Sequence, residues 1–260
     1  MENRRFMGRE TAVQAVLVAN AGVLLSGCGV TVLIDGLFHG RDGEFSGPMP
    51  ETLRKMERGE APFESVDYLL FTHGHSDHFS QEVTAEYLVR RGAKGVFLPP
   101  DCGTEAGPLL PLLKSLGIRH QVLPRASGLA LELAPGVRVR FLPVRHLDRV
   151  YWDTPHFALL LDFWEKRLLF TADADYTVER FEGLGRLRAV FLNPLFFHAL
   201  RTGTFFHGGF LMDLLCVYHL PFPDRDRYGW LTAARRDCAG WPEEKGLPVL
   251  LTEPEQRLRL

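Results

Sequence analysis

The stretch Thr72-His73-Gly74-His75-Ser76-Asp77-His78-Phe79 constrains this chain more than any other. Its H-x-H-x-D-H order sets three imidazoles and one carboxylate within six residues. Neutral imidazole and carboxylate are the side chains that ligate zinc and similar divalent metals. The run just before it, Val66-Asp67-Tyr68-Leu69-Leu70-Phe71, has the length and the β-branched and aromatic content of a buried strand. Just after it, residues 81–91 (QEVTAEYLVRR) read as a helix, with Glu82 early and Arg90 and Arg91 late to suit the helix dipole. The cluster therefore occupies a turn between a strand end and a helix start, where a rigid scaffold can aim side chains at one point. Histidines also gather on solvated loops without any metal, but four ligand-type residues at this spacing favour a metal site. One short turn cannot close such a site, so the remaining ligands must come from other strand ends.

The chain is 260 residues long and 46% hydrophobic, enough for a large core in one or two domains; we expect a single domain over 1–260. A formal net charge of −2 without blocks of like charge leaves no electrostatic footprint for nucleic acid. Cys28, Cys102, Cys216 and Cys238 lack C-x-x-C spacing and read as reduced thiols of a cytoplasmic protein. The N-terminus imitates a secretory leader, with Arg4 and Arg5, an apolar stretch from Ala12 and a lipoprotein-like Leu25-Ser26-Gly27-Cys28. Glu10, Gln14 and Asn20 interrupt that pattern, and 12–18, 22–25 and 29–34 read better as three successive strands. Export through Leu25–Cys28 is the lesser alternative.

Further on, Asp35-Gly36 closes the third strand, 37–49 is a Gly-rich loop carrying His39, and Pro50 opens a short helix to Arg58. Strands are expected at 95–98, 119–123, 129–133, 137–143, 157–163, 167–170, 189–192 and 248–251, and helices at 109–116, 205–215 and 228–238. Two runs of strands, each followed by helices, point to an α+β fold with helices outside two packed sheets. Three further ligand-type residues stand just beyond apolar runs: His146 after 139–143, Asp173 after 167–172, and His219 after 215–218. Alternatives remain open. Asp175 could serve in place of Asp173, His146 could be a surface histidine, and His198 or His207 could replace His219. Otherwise His198 and His207, with His39, suit a substrate pocket, while His120 and Cys216 read as structural and His156 is left over.

In order and kind, Asp35, the H-x-H-x-D-H turn, His146, Thr171-Ala172-Asp173 and His219 resemble the five motifs of the metallo-β-lactamase superfamily, whose members often show Thr-Gly-Asp where this chain has Thr-Ala-Asp. The resemblance implies an αββα sandwich of two mixed β-sheets, helices on the outer faces, and a dinuclear metal site at one edge. It implies that His73, His75 and His146 hold one metal, that Asp77, His78 and His219 hold the second, that Asp173 bridges them, and that Asp35 steadies the cluster from behind. Asp77 and Asp173 are the carboxylates it implicates in catalysis. Two divalent ions there, zinc by default with manganese or iron tolerating the same ligands, would let a bridging hydroxide attack an ester, lactone, amide or phosphodiester bond. The expected partner is a small-molecule substrate, without nucleic acid or membrane, and a homo-oligomer is left open. Only 41 residues (220–260) follow His219, too few for the helical substrate domain of glyoxalase II-like thioesterases; no basic arm favours RNA, and His75 stands where flavo-diiron oxygen reductases carry Glu. The competing expectations are a non-catalytic metal-binding or ligand-sensing protein on the same fold, and a phosphodiesterase or nuclease of the same superfamily.

Overall fold

The central strands of this chain are apolar on both faces, so each sheet must be covered on both sides. In the computed structural model, which describes residues 12–40, 45–103, 107–125, 127–179, 181–204, 210–242 and 245–260, that is how they are used. The first half runs β1 (Gln14–Leu17), β2 (Val23–Gly27), β3 (Val30–Ile34), α1 (Pro50–Arg58), β4 (Tyr68–Leu70), α2 (Gln81–Arg91), β5 (Gly95–Leu98), α3 (Leu109–Ser115) and β6 (Arg119–Val122). The second half runs β7 (Leu129–Ala134), β8 (Val137–Pro143), β9 (Phe157–Phe163), β10 (Lys166–Phe170), β11 (Leu187–Leu192), α4 (Pro194–Thr202), β12 (Met212–Val217), α5 (Trp230–Ala239), β13 (Val249–Leu250) and β14 (Arg257–Arg259).

These strands form two seven-stranded sheets, β14-β1-β2-β3-β4-β5-β6 and β13-β12-β11-β10-β9-β8-β7. Each is antiparallel through its first four strands in chain order of pairing (β14 to β3, and β7 to β10) and parallel through the rest. Period-two alternation sorts the side chains. Phe157, Leu159, Leu161 and Phe163 of β9 face the other sheet, together with Ala15, Leu17, Val32 and Ile34. Ala158 and Leu160 turn outward beneath Phe196 and Phe197 of α4 and Leu231 and Ala234 of α5. On the other side, Val16, Leu24 and Leu33 lie beneath Met56, Leu88 and Leu113 of α1, α2 and α3. The architecture is the expected αββα sandwich of two mixed sheets with helices outside.

Two details position the site. Ser80 caps α2 by accepting the Val83 N–H (3.3 Å), so the helix begins immediately after the histidine turn. Asn193 caps α4 in the same way at Phe196 (2.8 Å), with Pro194 in the first turn.

Two local expectations need correction. The helix expected over 205–215 is not found in its described part: Met212–Val217 is β12, parallel to β11, and residues 205–209 lie outside the described residues. The burial of Leu215, Cys216 and Val217 between a sheet neighbour and the helices outweighs the weak helical pattern. The short strand β14, which was not anticipated, pairs with β1 and returns the chain to the first half. The leader-like Leu25-Ser26-Gly27 lies within β2, paired to Val30–Val32 of β3, and Cys28 makes the turn between them; residues 1–11 are outside the described residues. No helix among the described residues is long and apolar enough to cross a membrane.

Candidate metal centre

The ends of β3, β4, β8, β10, β11 and β12 all open on one edge of the sandwich, and they deliver Asp35, the histidine turn, His146, Asp173, Asn193 and His219 to it. Beneath the cluster the buried Asp35 carboxylate organises two of the rings. Its Oδ1 accepts the Thr72 N–H (2.9 Å), while its Oδ2 accepts the Thr72 hydroxyl (2.6 Å) and lies 2.9 Å from His78 Nδ1. With its proton directed at Asp35, Thr72 Oγ1 can accept from His73 Nδ1 (3.0 Å). Both rings are thereby turned with Nε2 facing inward as a lone pair, which is how a carboxylate behind a metal-binding imidazole acts.

The inward atoms fall into two groups, each spanning no more than 4.8 Å and both containing Asp173: His73, His75, His146 and Asp173; and Asp77, His78, Asp173 and His219. In the first, His73 Nε2 lies 3.1 Å from His75 Nδ1, and Asp173 Oδ2 is 3.6 Å from His73 and 3.5 Å from His146 Nε2. In the second, His78 Nε2 faces His219 Nε2 at 2.9 Å, Asp77 Oδ2 is 3.3 Å from His219, and Asp173 reaches His219 with Oδ1 (3.3 Å) and His78 with Oδ2 (3.4 Å). Two donors bound to one tetrahedral ion lie about 3.3 Å apart, so these separations fit a shared cation. The buried His146 Nε2 has no hydrogen-bond partner, an uncompensated cost that a cation would remove. The donor set therefore fits two metal ions.

The electrostatics agree. Burial, reinforced by neighbouring His78 and His156, pushes His73 well below the usual imidazole range, and burial together with His146 lowers His75 to about 4. Burial also acts against the charged forms of His78 and His219, but the Asp77 and Asp173 carboxylates outweigh it and raise both. The same carboxylates, which burial alone would raise, are lowered by His78 and His219. Without cations, the carboxylates favour protonation of the His78–His219 pair, whose facing Nε2 atoms (2.9 Å) can hold one proton between them; a divalent cation would take the place of that proton.

Above these groups opens a cavity of about 520 Å³. Its floor is built from His75, Asp77, His146, Asp173 and His219, and its wall carries Phe45, Leu147, Tyr151, Leu195 and Trp230. Phe45 packs edge-on against His219 (5.1 Å between ring centres), and Tyr151 against His75 (4.3 Å) and His146 (5.2 Å).

The structure thus brings His73, His75, Asp77, His78, His146, Asp173 and His219 together, with Asp35 behind them. Asp175 is turned away, its carboxylate bound by Arg145 Nε (2.8 Å) and by Thr177. His198 does not join the cluster: it pairs with Asp237 of α5 (2.8 Å), which Arg201 also holds. His39 is exposed and away from the cavity wall. His207 lies outside the described residues. His120 binds the Ile118 carbonyl, and Cys216 sits in the core.

His156, left over in the sequence, is part of the site. It is buried against His73 (4.6 Å) and His146 (5.4 Å), its Nε2 accepts the Asp173 N–H (3.3 Å), and burial drives it down to about 3. It stands before β9, not after a strand, so its position along the chain does not mark it. Yet β9 is antiparallel to β8 and β10, so its beginning lies at the same edge as their ends. The stretch 193–198, a candidate pocket wall from its place after an expected strand, does contribute Asn193, Pro194 and Leu195 to the cavity, whereas nothing in the sequence marks Tyr151.

A family model described as the beta-lactamase superfamily domain matches residues 31–209. Comparison with curated proteins gives no match. Among solved structures, the chain is similar to Igni18, described as a metallo hydrolase from Ignicoccus hospitalis (TM-score 0.60, 16% identity, covering 96% of this chain and 99% of that one). It is similar also to the metallo-beta-lactamase fold protein YhfI from Bacillus subtilis (TM-score 0.54, 14% identity, 96% and 100%). A third is CmlA, a diiron beta-hydroxylase from Streptomyces venezuelae (TM-score 0.56, 18% identity, 95% and 54%); this chain spans about half of CmlA's length.

Proposed function

Because the chain belongs to the beta-lactamase superfamily, we propose that it is a metal-dependent hydrolase of small molecules, served by two divalent cations. One observation carries the reading: two groups of ligand atoms share a single carboxylate, Asp173, at the floor of a cavity large enough for a small molecule. When bound, such cations lower the pKa of water to near neutrality and polarise the substrate oxygen. His73, His75, His146 and Asp173 would hold one, and Asp77, His78, His219 and Asp173 the other. Zinc suits so many imidazoles, and manganese or iron would accept the same donors.

The chain's own groups do the rest. Asp35, directly at His78 and through Thr72 at His73, keeps the ring lone pairs inward. Asp77 and Asp173 place carboxylate oxygens at the cavity floor, where they can take the proton released by an attacking water and return it to the leaving group. Phe45, Tyr151 and Trp230 exclude bulk water and strengthen the local field. The free thiols agree with a cytoplasmic setting.

The test is hydrolysis of a nitrophenyl ester, a lactone and a nitrophenyl phosphodiester by one preparation. Turnover of at least one should vanish with a chelator and return with Zn²⁺ or Mn²⁺. His75→Ala and Asp173→Ala should each lose more than the roughly 10–100-fold that residues neighbouring a ligand cost. Stoichiometric metal binding without turnover of any of the three would favour a non-catalytic metal-binding protein instead.

A further inference from the structure

The charge on the cavity wall is unevenly placed. Whatever oxygen of a substrate reacts must lie over the floor, where the cations would be. The remainder of the substrate then meets Phe45, Leu147, Tyr151, Leu195 and Trp230, and beside them the carboxylate of Asp148. Asp148 is not in either ligand group. Its Oδ1 accepts the Val150 N–H (3.0 Å), starting the short 3-10 turn Arg149–Tyr151. That turn presents Tyr151 to the cavity and leaves Val150 (80% exposed), Tyr151 (38%) and Trp152 (43%) at the surface. Among the described residues the cavity wall includes no lysine or arginine. The two nearest cations in sequence both turn to Trp152 and are not part of the wall: Arg149 lies over its ring (5.6 Å), and Arg145, committed to Asp175, stacks over the same ring (4.1 Å).

Resting on the hydrolase reading above, we infer that the cavity selects substrates whose non-reacting part is uncharged and apolar, an aromatic or branched aliphatic group held against Phe45, Tyr151 and Trp230, and disfavours those that carry a carboxylate or phosphate there. An anionic tail would enter an apolar wall beside Asp148, losing hydration without gaining a cationic partner among the described residues. An aromatic tail buries apolar area and offers its edge to the Tyr151 and Trp230 rings. Selectivity lies in the segment 147–151, which is continuous with His146; its Asp148 N–H lies 3.1 Å from His146 Nδ1. The part of the chain that reads the substrate is thereby tied to a residue that would hold the metal.

Two probes share a metal-binding hydroxamate and differ only at the far end: 3-phenylpropanohydroxamate and succinic acid monohydroxamate. Binding to the Zn²⁺-loaded protein is measured by calorimetry, alongside hydrolysis of the corresponding nitrophenyl esters. The phenyl probe should bind at least tenfold more tightly. Tyr151→Ala should narrow that gap by weakening the phenyl probe, and Asp148→Asn, which keeps the Oδ1 acceptor, should narrow it by strengthening the carboxylate probe. Equal or reversed affinities, no binding of either probe, or a gap that neither variant alters would overturn the inference. Selective binding without turnover of ester, lactone or phosphodiester would leave this inference standing and overturn the hydrolase reading. Hydrolysis without selectivity would do the reverse.

Discussion

Asp35, Ala172 and His219 each carry left-handed backbone (φ 44°, 46° and 58°) although none is glycine. A non-glycine residue there costs about 1–2 kcal/mol, and such strain clusters where surrounding structure enforces it. At Ala172 the enforcing bonds are visible: its N–H is donated to the Tyr218 hydroxyl (3.0 Å) and its carbonyl accepts Asn193 Nδ2 (2.8 Å), so the next residue, Asp173, is aimed into the cluster. Ala172→Gly should keep the turn and raise stability by about 1 kcal/mol, read as a higher urea midpoint. Asp35→Asn should fold but lose an acceptor beneath the rings. Zn²⁺ affinity, measured by competition with a chelating dye, should fall roughly 10–100-fold. His156 makes the metal-free protein acid-sensitive. Its unfolded pKa is about 6.5 and its folded value about 3. Between these, the unfolded chain binds a proton that the folded one does not, so stability falls as pH drops below 6.5. At pH 4 this amounts to about 3 kcal/mol from His156 alone, measurable by urea unfolding of the metal-free protein at pH 7 and pH 4.

Among the elements, α4 is coupled most directly to the site. Asn193 starts the helix with its Oδ1 and holds the Ala172 carbonyl with its Nδ2, and it is almost wholly buried. Asn193→Ala removes both bonds and should destabilise the protein by about 2–4 kcal/mol. Asn193→Asp keeps the cap and loses the donor, so it should cost less in a thermal melt while lowering metal affinity. Where the helix expected at 205–215 reaches the described residues, a strand stands instead, for a reason of the same scale. A six-residue run such as Met212–Val217 is too short for its periodicity to separate strand from buried helix; pairing with β11 decides it. His219 then stands at the end of a sheet strand instead of on a helix, which is why it, and not His198, reaches the cluster.

Taken whole, the molecule places the ligand groups from both halves of the chain at one edge, and the halves are joined there. Phe157 N–H of β9 is donated to the Thr72 carbonyl (3.0 Å), and His219 N–H to the Asn20 carbonyl (2.7 Å). A cation bound across this seam should stabilise the entire sandwich by mass action, about 2.7 kcal/mol at a free concentration 100 times its Kd. The melting temperature should therefore rise with Zn²⁺ concentration and fall with chelator. Since His78 and His219 are raised in the metal-free protein, binding at neutral pH should release protons and weaken on acidification; calorimetry in buffers of different ionisation enthalpy would detect the release. Much of this was legible in the sequence. The H-x-H-x-D-H spacing named the ligand types, and two runs of strands, each followed by helices, pointed to two packed sheets with helices outside. The placing of His146, Asp173 and His219 just beyond such runs marked them as edge residues. Residue spacing tells which face a side chain occupies and where a strand stops, because both follow from local backbone geometry. It does not tell which strands are neighbours, or which way they run. That is decided by long-range packing, and with it the choice of Asp173 over Asp175, the exclusion of His198, and the recruitment of His156 from the start of an antiparallel strand.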